Sequence, residues 1–267
     1  MRDPKYVVAV VLSVLVGVSL CITTFGMHRA DARAARTPVL AELFTSEGCS
    51  SCPPADDLLR RLIEEQPVDG IEVIAVSEHV DYWNRLGWRD PFSSAHFSER
   101  QTAYANAVGT SQIYTPQLVI DGHLQVVGSD GPGVRRSLLE AASGPRAAVS
   151  VVATRSADLR LAAVRVTVRD LPATVHAGAM HVVVAIVEDD LTTNVVRGEN
   201  ARRRLKHHAV ARVLDTMAKL PHHATAGEFV KDIEINREWG SDRLRVVAFL
   251  QNDRTRQVFG AATTDIQ

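Results

Sequence analysis

The chain changes texture once, and that change limits its folds more than any other feature. From Pro38 to about Gly144, buried-strand and amphipathic-helix patterns alternate. From Ala147 onward nearly every apolar stretch reads as strand, alternating or continuous. "VLAELF" (Val39 to Phe44) and "IEVIAVSEHV" (Ile71 to Val80) read as buried strands. "PPADDLLRRLIEE" places Leu58, Leu59 and Leu62 at helical spacing, with Asp56 and Asp57 in a first turn that favours acids. "SSAHFSERQTAYANAVG" predicts a helix capped by serine and closed near Gly109. "QLVI", Asp121-Gly122 and "LQVVG" make a hairpin, and a helix over Pro132 to Ala142 ends the unit. The predicted order is β-α-β-α-β-β-α. The later segments "AVSVVATR", "LRLAAVRVTVRDL", "MHVVVAIVEDD", "FVKDIEI", "LRVVAFLQ" and "QVFGAAT" are strands, and only "LDTMAKL" hints at a helix. The expected architecture is an α/β domain over 37–145 followed by an all-β, sandwich-like domain over 146–267, joined at Gly144-Pro145.

Residues 1–36 stand apart. Tyr6 to Phe25 carries no charge, and a span needs about 20 such residues. The run is longer than the roughly 7–15 apolar residues of a signal-peptide core, which favours an anchor. "ADA" and "ARA" (Ala30 to Ala34) are small-x-small sites that suit cleavage. Either outcome predicts export, to the periplasm or the medium, with membrane contact only through residues 6–25. Of the chain's 3 cysteines, Cys21 falls in this segment, which leaves Cys49 and Cys52 as one pair. A disulfide-stapled small domain would need more. Net charge is −1 and the basic run Arg202-Arg203-Arg204-Leu205-Lys206 is short, so no nucleic-acid partner is predicted.

Cys49 and Cys52 lie in "LFTSEGCSSCPPADDLL", where a strand meets a helix. A thiol at a helix N-terminus is stabilised as thiolate, its pKa falling from about 8.5 to roughly 3.5–7.5. A second thiol one turn on can close a disulfide. Cys49 is therefore the expected attacking thiol and Cys52 the resolving one. Ser50 and Ser51 add hydroxyl donors, and Pro53 and Pro54 suit a first helical turn. Glu47, Asp56 and Asp57 oppose a thiolate by like charge.

"YTPQLVIDG" puts Pro116 just before a strand, and together with the Cys-x-x-Cys the chain here resembles the thioredoxin superfamily. The resemblance implies a thioredoxin-like fold over 37–145 and a cis-proline loop facing the dithiol. Thr115 and Pro116 would then align a bound peptide. It also implies that a buried acid on the first strand relays protons to the resolving thiol, a part that falls to Glu42; an edge-exposed or salt-bridged Glu42 is the other reading. "LAELFTSEGCSSCPPADDLL", "HVDYWNRLGWRDPF", "RQTAYANAVG", "VVGSD" and "VVRGENARRRLKHHAVARVL" narrow this further. They closely resemble a bacterial family of exported proteins known only as a domain of unknown function, number twelve-twenty-three. Gly48 stands where thioredoxin carries tryptophan, and serines lie between the cysteines.

Tyr82, Trp83, Trp88 and Phe92 follow the second strand, with His79 and Asp81 nearby. Tyr82 and Trp83 are expected to offer aromatic surface to a peptide, or else only to pack. The expected activity is thiol–disulfide exchange with a protein or small-thiol redox partner, using no cofactor beyond a Cys49–Cys52 disulfide. The alternative is a binding module without turnover: a partner-docking protein, or a carrier in which Cys49, Cys52 and His79 ligate copper, since thiolates suit Cu(I). Adjacent histidines such as His207-His208 point to opposite faces of a strand and do not form a cluster. "RGEN" (Arg197 to Asn200) suggests only a polar loop against the first domain.

Overall fold

A computed structural model describes residues 36–172, 178–221 and 223–267. The apolar run 6–25 lies outside them. Among the described residues no helix is long and apolar enough to cross a membrane.

The first half follows the predicted order: β1 (Thr37–Thr45), α1 (Pro53–Glu65), β2 (Ile71–His79), α2 (Ala95–Ala107), β3 (Gln117–Ile120), β4 (Leu124–Val127) and α3 (Gly131–Ala142). A short 3-10 turn, Asn84–Leu86, precedes α2. Ser94 caps α2 by accepting from His96 N, and Asp130 caps α3 by accepting from Gly133 N. The hairpin turn at Asp121-Gly122 leaves no room for a side chain at Gly122, where φ is +73° and a Cβ would lie 1.9 Å from Arg256 O.

The second half supplies β5 (Ala148–Arg155), β6 (Leu161–Arg169), β7 (Met180–Glu188), β8 (Leu191–Asn194), β9 (Arg204–His207), β10 (Val210–Leu220), β11 (Gly227–Glu234), β12 (Leu244–Asn252) and β13 (Val258–Asp265). "LDTMAKL" is not helical. It lies in β10, whose residues pair with β7 from Leu220↔Met180 to Val210↔Glu188. Cross-strand pairing and partial burial outweigh the weak helical propensity of a seven-letter stretch.

The two halves share one sheet instead of meeting through a linker. Eight strands run in the order β13-β12-β7-β10-β2-β1-β3-β4. β1 and β2 are parallel, and β10 joins β2 in parallel at Val210↔Ser77, where Ser77 N donates to Ala209 O at 2.7 Å. A three-stranded sheet, β11-β6-β5, covers the C-terminal end. One core lies under α1 and α3 and contains Leu40, Leu43, Leu59, Ile74 and Leu138. A second lies between the two sheets, around Val164, Val166, Val184, Val246 and Leu250. β8 and β9 form a separate two-stranded ribbon. The whole of Ala34–Gln267 is one compact unit, a mixed α/β fold around a large mixed sheet.

Candidate functional site

β1 alternates between two layers. Leu43 faces α1: a Cβ on Gly128 would meet Leu43 Cδ1 at 2.8 Å and Ala55 Cβ at 3.0 Å. Thr45 shares that face and donates its hydroxyl to Asp56 Oδ1 at 2.8 Å. Glu42 and Phe44 face α2 instead, where both meet Tyr104.

After Thr45 the chain turns into α1 through Glu47, Gly48 and the two cysteines, which are joined as a disulfide with Cα atoms 5.5 Å apart. Both cysteines are fully buried, at 0% exposure, while Ser50 and Ser51 lie on the surface. Cys49 Sγ lies 3.3 Å from Ser51 Oγ, which donates to Thr115 O at 3.5 Å. The Thr115–Pro116 peptide is cis, and it stands beside the disulfide. Trp83 Nε1 donates to Thr115 Oγ1 at 2.8 Å, and Trp83 Cβ would lie 3.0 Å from a Cβ on Gly48. Trp83 therefore wedges between the two loops. Tyr82 turns toward α2 and donates to Gln101 Oε1 at 3.1 Å.

Glu42 is fully buried but is not beneath the disulfide. Arg100 Nε donates to it at 2.8 Å and Arg100 Nη2 at 2.6 Å, and the Tyr104 hydroxyl also donates to it. The expectation of an acid on β1 serving the dithiol fails on strand parity, since position 42 opens to the opposite layer. Glu78 joins this cluster at 3.5 Å from Arg100 Nε. Burial first, and then the neighbouring Glu42 carboxylate, push Glu78 well above the usual carboxyl range.

A second polar cluster, which the sequence did not reveal, lies on the α1 side. Trp88 Nε1 donates to Glu47 Oε2 at 2.7 Å, and His207 Nε2 lies 3.2 Å from Glu47 Oε1. His207 Nδ1 is 3.8 Å from Asp56 Oδ2. His79 packs edge-on against His207, ring centroids 4.8 Å apart, with its Nδ1 at 2.7 Å from Asp90 Oδ2. Asp90 also accepts from Glu47 N and Phe92 N. Burial would depress His79, but Asp90, Asp56 and Glu47 outweigh it and raise the imidazole. His79 holds Asp90 below the usual range against its burial. Burial raises Asp56, against the pull of His207, His79 and Thr45.

The C-terminal half reaches this centre through the β8–β9 ribbon. Asn200 Nδ2 donates to Glu47 O and Cys49 O, both at 2.9 Å, and Ser50 N donates to Glu199 Oε2 at 3.0 Å. "RGEN" is thus the clasp of the Cys-x-x-Cys loop. His207 points inward while His208 pairs with Asp190 on the other face, as strand alternation requires. Asp81 is tied to Ser98. Among the described residues no group of three or more His, Cys, Asp or Glu side chains is set to hold a metal ion. Cys49 and Cys52 are joined to each other as a disulfide, and His79 Nδ1 lies against Asp90.

Fold and site define a mixed α/β protein with a buried disulfide at a strand-to-helix turn, clasped by a ribbon from its C-terminal half. The chain belongs to the family described as protein of unknown function (DUF1223), whose model matches residues 40–251. Protein AGR_C_4864 from Agrobacterium tumefaciens, known from an X-ray crystal structure, is 26% identical with a TM-score of 0.66, over 87% of this chain and 97% of that one. HBP35 of Porphyromonas gingivalis is 14% identical with a TM-score of 0.63, over 86% of this chain and 76% of that one. At that identity the likeness concerns fold alone. No curated protein matches the chain.

Proposed function

We propose that this is an exported thiol–disulfide exchange protein with a thioredoxin-like first half, acting through Cys49 and Cys52. The observation that carries the reading is the disulfide at the N-terminus of α1, beside the Thr115–Pro116 loop. A partner thiolate attacks Cys49 Sγ, the S–S bond breaks, and its electron pair leaves on Cys52 Sγ. A second partner thiol then resolves the mixed disulfide, so the partner dithiol is oxidised and the pair Cys49/Cys52 is reduced. Thr115 and Pro116 would border the bound partner, with Trp83 behind them. Export rests on the apolar run 6–25 and its small-x-small sites.

The full burial of both cysteines favours a second reading, a static structural disulfide. One experiment separates the two. The full chain is titrated with dithiothreitol while its fold is followed by circular dichroism and its free thiols are counted. Reduction at a defined potential with the fold retained supports exchange. A disulfide that opens only on unfolding leaves the structural reading.

A further inference from the structure

Exchange needs a proton as well as electrons, because Cys52 departs as a thiolate inside a buried site. We propose that Asp56 gives and takes that proton, held in position by His207 and His79, so that β9 of the C-terminal half completes the centre. The inference rests on the exchange reading above.

Geometry selects Asp56 from three buried acids. Asp56 lies one helical turn beyond Cys52, its N–H donating to Cys52 O at 3.1 Å, so both side chains share the inward face of α1. Both Glu47 oxygens are engaged, by Trp88 and His207. Asp90 is engaged by Glu47 N, His79 and Phe92 N. Asp56 accepts from Thr45 on Oδ1, while among the described residues its Oδ2 meets His207 Nδ1, at 3.8 Å. His207 Nδ1 and His79 Nε2 are buried and make no hydrogen bond. Each imidazole has its other nitrogen on a carboxylate, which fixes the ring, and the remaining nitrogen of His207 is the one that faces Asp56.

A route for protons exists as well. Asp56 lines a cavity of about 240 Å³ together with Pro53, Asp57, Arg60, Arg203, Arg204 and Lys206. Four cations and Asp57 therefore face Asp56 from the solvent side, and His207, His79, Asp90 and Glu47 from the inner side. When Cys52 leaves, the Asp56 carboxyl gives up its proton to the sulfur and becomes a carboxylate, which regains a proton through the cavity. In the opposite direction the carboxylate takes the proton of the Cys52 thiol as the disulfide forms.

The test is the rate at which dithiothreitol reduces the full chain, from acidic to mildly alkaline pH, divided by the reagent's thiolate fraction. For wild type the corrected rate should be high in acid and fall as Asp56 loses its proton. In Asp56→Asn it should be flat and lower in acid by about tenfold or more, the scale of a lost general acid. Asp56→Glu should restore part of the acid limb, and His207→Gln should keep the limb but move its midpoint. An Asp56→Asn profile that overlays wild type overturns the inference while exchange itself stands. A wild-type disulfide that resists reduction in the folded state overturns the exchange reading and this one with it. If Asp56→Asn does not fold, His207→Gln decides: a displaced midpoint supports the relay and an unmoved one overturns it.

Discussion

Asn200 and Cys49 are separated by 151 residues, yet the side-chain amide of one donates to the main-chain carbonyl of the other at 2.9 Å. The same amide donates to Glu47 O. Among the described residues, Glu199 and Asn200 thus hold the Cys-x-x-Cys loop from the C-terminal half at two points, these bonds and the exposed Glu199–Ser50 contact. They are unequal. Asn200 is 1% exposed, so water cannot take its place, whereas Glu199 competes with solvent.

Asn200→Ala should accordingly cost about 1–3 kcal/mol, the range for stranding buried polar groups. Glu199→Gln should cost under about 0.5 kcal/mol, as expected for an exposed site. Urea midpoints check both values. Equal effects from the two variants would show that burial does not set the strength of the clasp.

The His79–Asp90 pair gives stability a pH signature. His79 is raised above 6.5, so its contribution is fully present below that value and is lost as pH climbs through the folded-state pKa. Asp90 is lowered below 3.8, so its contribution is present above that value and is lost as pH falls through the folded-state pKa. Between these limits both contributions hold. The raised carboxyls Asp56, Glu78 and Asp121 slope in the same direction as His79, losing stability as pH rises. Urea midpoints followed from acid to alkaline pH should therefore decline on the alkaline side. His79→Gln should make that decline shallower; an unchanged slope would mean that the pair does not titrate as a unit.

On the opposite layer, Glu78 and Glu42 share one cation, Arg100. The hydrogen-bond potential of Glu78 is unmet, since neither of its oxygens makes a hydrogen bond. Glu78→Gln should stabilise the fold by about 1–2 kcal/mol at alkaline pH and do little in acid, because it removes a buried charge that only high pH creates. Arg100→Met should do the reverse, costing about 3–5 kcal/mol by leaving buried carboxylates unpaired. Thermal melts of the two variants at two pH values test the opposed signs. A stabilised Arg100→Met protein would place the charge elsewhere.

Where pattern and local chemistry act alone, the sequence was readable. α1 begins at Pro53 and ends at Glu65 because the prolines, the early acids and the leucine spacing agree. The cis Thr115–Pro116 loop came from the resemblance to the thioredoxin superfamily and not from local pattern. Three features were not readable, and each depends on distant pairing. β10 needs β7 and β2 beside it before "LDTMAKL" becomes a strand. Glu42 needed strand parity measured against α2, which the spacing to Cys49 does not supply. The inner cluster gathers Glu47, Asp56, His79, Asp90, Asn200 and His207 from segments up to 160 residues apart. The one local signal was alternation on β9, which sends His207 inward and His208 away; it could not say what His207 would meet.

Gly48 sets how closely the Cys-x-x-Cys loop approaches Trp83. A Cβ there would lie 3.0 Å from Trp83 Cβ and 3.5 Å from Trp83 O, so any larger residue presses Trp83 aside by a few tenths of an ångström. That indole is held by its bond to Thr115 Oγ1 at 2.8 Å, and moving it loosens the Thr115–Pro116 loop beside the disulfide. Gly48→Ala should cost about 1–3 kcal/mol through overpacking. It should also change tryptophan emission, because the indole's bond to Thr115 is strained. Trp83→Phe removes the donor but not the ring's bulk, and should cost only about 0.5–1.5 kcal/mol. Combined, the two changes should cost less than their sum, because the indole bond weakened in one is already lost in the other. Strict additivity in a double-mutant cycle would mean that Gly48 and Trp83 act independently, and that the wedge between the two loops does not hold them together.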